Sequence, residues 1–267
     1  MIRLSANLTM LFTELPLLDR FDAAAAAGFK AVECVDPFSE TAEAIAERLD
    51  RNDLEFALFN MPPGDWGKGD RGYAADPDRV VEFARSIETT RAYALATGCR
   101  TVHLMAGKVP TGANRPVWRK TLENNIRLAA DSLIRDGLTL VLEPINSRVD
   151  IPGYYYDTSR AALDIIAAVD RPNVKLLYDV YHMQIMEGDL ARTIEQYLPQ
   201  IGHIQIADNP GRHEPGTGEI AYPWLLERLD TLGYGGWIGC EYQPSGDTID
   251  SFAWAEPYLM TPGPHQN

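Results

Sequence analysis

Apolar and polar positions along this chain switch repeatedly between two periods. Eight short runs rich in apolar and β-branched residues read as strands: Ile2–Asn7, Ala31–Val35, Glu55–Asn60, Thr101–Met105, Thr139–Glu143, Lys175–Asp179, His203–Ala207 and Trp237–Tyr242. Longer stretches with helical spacing separate them, and their ends carry the expected chemistry. Asp76-Pro77 places a proline at a first helical turn and Asp157-Thr158-Ser159 offers caps, while Gly28, Gly98, Gly137 and Gly233 stop helices just before strands. Strands alternating with helices pair in parallel through helical crossovers. A doubly wound sheet usually has a glycine-rich phosphate turn after its first strand, whereas here that turn reads Ser5-Ala6-Asn7-Leu8-Thr9-Met10. Eight units in 267 residues predict an α/β fold, a single (β/α)₈ TIM barrel over residues 1–260 followed by a loose C-terminal tail, 261–267.

The richest loops, Met61 to Asp76, Ala106 to Pro116, Glu143 to Asp157 and Asp208 to Tyr222, all follow strands. They therefore gather at the end of the barrel where such folds build their sites. Composition narrows the function. With 24 Lys+Arg against 38 Asp+Glu the formal charge is −14, a poor match for a phosphate backbone or an anionic membrane. Neither nucleic acid nor membrane is expected as a partner. Cys34, Cys99 and Cys240 form no CxxC pair, and the N-terminus runs straight into a strand pattern without a leader, so a reducing, cytoplasmic setting is expected. The run Ala23 to Ala27 is far too short for a membrane span.

The predicted strands end on polar residues: Asn7, Glu33, Asn60, His103, Glu143, Asp179, Gln205 and Glu241. Most strand-end polar residues are turn formers or caps. Glu143, Asp179 and Glu241 differ because each closes a largely apolar run, where an unpaired carboxylate costs several kcal/mol. They need a cation. Strands five to eight are neighbours in the barrel wall, so Glu143, Asp179, Gln205 and Glu241 converge as an oxygen-rich set suited to Mg²⁺ or Mn²⁺. The competing reading pairs these acids with Arg148 and Arg212 from nearby loops. His182, three residues after Asp179, is a candidate substrate donor.

Leu142-Glu143-Pro144-Ile145-Asn146, Tyr178-Asp179-Val180-Tyr181-His182, His203-Ile204-Gln205-Ile206-Ala207-Asp208, the loop Gly211 to Ile220, and Gly239-Cys240-Glu241-Tyr242 together resemble the hydroxypyruvate isomerase family of xylose-isomerase-like TIM barrels. The likeness extends to Phe59 through Trp66 and to Val102 through Gly107. In relatives that epimerise ketoses it implies a metal held by two Glu, one Asp and one His. This chain has Gln205 where that His falls, which favours a hard ion and argues against importing the epimerase activity.

The resemblance implies aldose–ketose interconversion of a small hydroxy-oxo acid, foremost hydroxypyruvate and tartronate semialdehyde. Glu143 and Glu241 are then the catalytic acid/base pair as well as metal ligands. His182, Arg212, His103 and Asn60 are expected to bind substrate, and Lys108 or Arg71 to meet its carboxylate. A four-carbon 2-oxo acid, a ketose epimerised at C3, a non-catalytic sugar-acid-binding barrel, and assembly into a homo-oligomer all stay open at this stage. A Schiff-base aldolase is disfavoured because neither Lys108 nor Lys175 lies at the end of a strand.

Overall fold

A computed structural model describes residues 1–259; the expected tail at 261–267 lies outside the described residues. Eight parallel strands close into a barrel in sequence order: β1 Arg3–Asn7, β2 Ala31–Cys34, β3 Glu55–Asn60, β4 Thr101–His103, β5 Thr139–Leu142, β6 Val174–Asp179, β7 Ile201–Ile206 and β8 Trp237–Cys240. The α-helices are α1 Leu17–Ala26, α2 Ala42–Asn52, α3 Val80–Thr97, α4 Arg115–Leu133, α5 Ser159–Val169, α6 Val180–Met186, α7 Leu190–Tyr197 and α8 Tyr222–Thr231. The barrel expected from the alternation is therefore the fold observed.

Two units depart from the simple repeat. After β6 the chain enters α6 with no intervening loop, because Asp179 caps it: its Oδ1 accepts from the backbone N–H of Tyr181 at 2.7 Å and His182 at 3.2 Å. Gly188 and Asp189 then take left-handed backbone angles and break the helix before α7. After β8 the described residues form only a 3₁₀ helix, Asp250–Ala255, whose Phe252 packs against Phe12 and Phe29. β4, β5 and β8 also stop before the strand ends read from sequence, so Glu143 and Glu241 are the first residues beyond β5 and β8.

Outside the barrel, the helices bury a continuous apolar layer against the strands. Inside it, Leu58, Val141 and Leu177 form a small separate plug. The inward layer also contains Ser5, Glu33, His203 and Gln205, all fully or almost fully buried. The cross-strand register sets Asp179 beside Gln205, Gln205 beside Gly239 and Gly239 beside Ser5, so polar side chains from three strands share one level with a glycine between two of them. No helix among the described residues is long and apolar enough to cross a membrane. The three cysteines are free and buried.

Candidate active site

Glu143, Asp179, His182 and Glu241 are buried at the C-terminal end of the strands. Glu143, His182 and Glu241 open onto a cavity of about 570 Å³ whose wall also includes Asn60, His103, Trp66 and Arg71. Glu143, Asp179 and His182 present ligand atoms within 4.8 Å of one another. His182 Nε2 stands 3.5 Å from Glu143 Oε1 and 3.6 Å from Asp179 Oδ2, while Asn146 Nδ2 contacts its Nδ1 at 2.7 Å. His103 Nδ1 lies 3.5 Å from Glu143 Oε2, and its Nε2 is buried without a partner.

The Arg148 and Arg212 alternative is realised in half. Arg148 turns away and donates to the carbonyl of Ile185. Arg212 enters the cluster: Nη2 donates to Glu241 Oε1 at 2.6 Å and Nη1 to Asp150 Oδ2 at 3.2 Å, with the guanidinium 5.1 Å from the Tyr181 ring centre. Arg212 occupies the left-handed region at φ 54°, which costs a non-glycine residue about 1–2 kcal/mol and must be enforced by its surroundings. The Arg212 carbonyl accepts from the backbone N–H of Gln243 at 2.9 Å, and the loop that carries it is organised by Asp208. Its fully buried carboxylate accepts from the backbone N–H groups of Asn209, Gly216, Gly218 and Ile220 at 2.8–3.1 Å, folding the whole loop around itself. A side chain at Gly218 would meet the carbonyl of Asn209 at 2.1 Å, so the loop closes only on a glycine there.

One arginine does not neutralise this many acids. Burial, reinforced by Glu241 and Asp179, drives the Glu143 carboxyl well above its usual range. Burial likewise lifts Glu241 to about 8, against the pull of Arg212, and Asp179 to about 6, against Arg212 and the N–H groups of His182 and Tyr181. Burial opposes the charge on Arg212, but Glu241, Asp179 and Asp150 outweigh it and the guanidinium is held more firmly protonated. Burial lowers His103 to about 3 and His182 well below the ordinary histidine value, so both imidazoles are neutral.

Glu143 Oε1, Asp179 Oδ2 and Gln205 Oε1 are buried with no hydrogen-bond partner in the protein. The two carboxylate oxygens, clustered with His182 Nε2, fit a hard divalent cation, and the orphaned Gln205 oxygen is of the same ligand type. Glu241 differs from the other three residues of the expected set. Its Oε1 is taken by Arg212, and its Oε2 accepts from Asn7 Nδ2 at 3.0 Å and from Gln205 Nε2.

Asn60, His103, His182 and Arg212 line the cavity, and so does Arg71, stacked 4.2 Å from the Trp66 ring centre. Lys108 lies elsewhere. Its backbone bridges to Tyr154, and its exposed side chain borders a separate small cleft beside Trp118. The loop order along the chain could not tell which side of the loop faced the cavity. Asp150, Asn146 and the Glu33–His203 pair below the cluster were not assigned roles from sequence. In the sequence Glu33 is only a polar strand end; its partners come from two other strands, β1 and β7, and emerge only with the barrel register.

Residues 21–258 match the family described as xylose isomerase-like TIM barrel. The chain is 46% identical over 259 residues to a 2-oxo-tetronate isomerase of Cupriavidus necator, covering 97% of this chain and 99% of the relative. It is 44% identical over 258 residues to a hydroxypyruvate isomerase of Escherichia coli, covering 97% and 100%. Among solved structures, a Brucella melitensis protein described as an AP endonuclease of family 2 superimposes with a TM-score of 0.95 at 45% identity, covering 97% of this chain and 100% of that one. The barrel, the inward carboxylates and these full-length relatives agree: the chain belongs to the hydroxypyruvate isomerase family of xylose isomerase-like TIM barrels, and it is an isomerase.

Proposed function

We propose that this isomerase interconverts the α-hydroxy ketone and α-hydroxy aldehyde forms of a small sugar acid, with hydroxypyruvate and tartronate semialdehyde as the pair. The observation that carries the reading is the placement of Glu143 and Glu241. Both are buried carboxyls with raised proton affinity, opening onto one cavity that also holds an arginine rim. A carboxyl tuned upward toward neutrality can both take and return a proton near pH 7.

In the forward direction one glutamate removes a proton from C3 of hydroxypyruvate, and the electron pair moves into the C2–C3 bond as an enediolate. The other glutamate returns a proton to C2 while the remaining hydroxyl proton passes between the adjacent oxygens, so the product is an isomer with no net gain or loss. Arg212 and the neutral imidazoles of His103 and His182 hold the substrate oxygens. Arg71 takes the carboxylate at the rim, which reconciles an acidic protein with an anionic substrate. Glu143, Asp179 and Gln205, joined by His182 or Glu241, would hold a divalent ion, Mg²⁺ or Mn²⁺, which supplies Lewis-acid polarisation of the carbonyl when bound.

A second substrate is favoured by a specific observation. The Cupriavidus relative is described as a 2-oxo-tetronate isomerase, and a cavity of about 570 Å³ accommodates four carbons as well as three. The same proton transfer serves both acids. The test follows conversion of hydroxypyruvate, 2-oxo-tetronate and a neutral ketohexose by NMR. Turnover of either acid, with the ketohexose slow, supports the reading; turnover confined to the ketohexose, or absent for all three, overturns it.

A further inference from the structure

Beneath the site lies a buried acid that the proposed mechanism does not use. Glu33, on β2, is fully buried, and four donors from two other strands, β1 and β7, surround its carboxylate. Oε2 accepts from Ser5 Oγ at 2.9 Å and pairs with His203 Nε2 at 2.8 Å. Oε1 accepts from Asn7 Nδ2 at 3.1 Å and from Gln205 Nε2 at 2.8 Å. Room for this carboxylate comes from Gly239, where an added Cβ would lie 2.3 Å from both Glu33 oxygens.

The two amides have a second task. Asn7 Nδ2 donates its other proton to Glu241 Oε2 at 3.0 Å, and Gln205 Nε2 also donates there. Both amide groups thus bridge the same two oxygens, Glu33 Oε1 below and Glu241 Oε2 above. Turned about, either amide would set its carbonyl oxygen against two carboxylate oxygens, so an anionic Glu33 selects one orientation of each. Asn7 Oδ1 is accordingly left to accept from Thr9 N at 3.0 Å, and Gln205 Oε1 is left buried with no protein partner.

We infer that Glu33 is a positioning residue: by fixing the amide orientation of Asn7 and Gln205 it aims Glu241 and holds the Gln205 carbonyl oxygen free for a ligand. A glutamine at position 205 is only a defined oxygen ligand if something prevents its flip, and here that is Glu33. Its effect on rate rests on the isomerase reading; the orientation itself does not.

The test separates the two. Side-chain amide protons of Asn7 and Gln205, observed by NMR in substrate-free protein with ¹⁵N-labelled Asn and Gln, should exchange slowly with solvent. Glu33→Gln, whose own amide can donate or accept, should release them and lower kcat by about tenfold or more with little change in KM. Gly239→Ala, which displaces the Glu33 carboxylate while leaving every hydrogen-bonding group in place, should release them too. Fast exchange of both amides in the unsubstituted protein overturns the inference even if neither variant folds. Retained protection in a folded Glu33→Gln protein also overturns it. Slow amide exchange lost in the variants, in a protein that turns over no sugar acid, supports the orientation and rejects the isomerase reading instead.

Discussion

Glu33 and Glu143 are the same residue type, buried to a similar depth in the same barrel, and they behave in opposite ways. Burial works to raise both. At Glu33 the charge and hydrogen bond of His203, with the hydrogen bonds of Gln205 and Ser5, outweigh burial and hold the carboxyl below its usual range. At Glu143 burial dominates, Glu241 and Asp179 add repulsion that outweighs the pull of Arg212, no hydrogen bond compensates, and one oxygen has no partner. The saturated acid is a fixed charge that organises its neighbours. The unsaturated one is free to exchange a proton or meet a cation. Position in the barrel does not distinguish them; the number of donors does.

That contrast can be broken from either side. Removing a reactive carboxylate should have the largest effect: Glu143→Gln or Glu241→Gln is expected to reduce turnover of the sugar acid by roughly 10²–10⁴-fold, the usual range for lost acid–base catalysis, with the fold retained by circular dichroism. Next comes Arg212→Ala. It removes the counter-charge from Glu241 and Asp150, a change that costs about 3–5 kcal/mol when a buried pair is left half-made. Part of that cost is relieved when Glu241 takes up a proton, so steady-state kinetics should show kcat/KM falling by about a hundredfold rather than more.

A smaller effect tests the orphaned oxygens. Mg²⁺ or Mn²⁺ at about a hundred times its Kd should stabilise the folded state by roughly 2.7 kcal/mol, seen as a rise in Tm that chelator reverses and that Asp179→Asn abolishes. An unchanged Tm with full turnover in excess chelator would remove the cation from the account. The rim gives the smallest pair. Arg71→Ala should raise KM for the acid by about tenfold, the loss of one charge-assisted contact. Lys108→Ala, outside the cavity, should leave kcat and KM within about twofold.

The fold was legible because period, caps and glycine stops all agreed, from Thr158 capping α5 to Gly98 closing α3. The acids at the mouth were legible too, since Glu143, Asp179 and Glu241 each follow an apolar run whose direction in a barrel is known. What escaped was everything set by register and side-chain direction. Glu33 looks like any polar strand end until Asn7, His203 and Gln205 are brought around it. Asp208 reads as a loop residue until four N–H groups from residues 209–220 converge on it. Lys108 and Arg71 are equivalent as positive charges on long loops, and only the paired backbone at Lys108 turns one of them outward.

The central claim is that Glu143 and Glu241 act as two separate proton carriers on one substrate. It is tested most directly by NMR in D₂O, following hydroxypyruvate with each single Glu→Gln variant. Isomerisation is expected to be lost in both, while deuterium still enters C3 in the variant that keeps the base for that carbon and fails to enter in the other. Isomerisation at near the unsubstituted rate in either variant would contradict it.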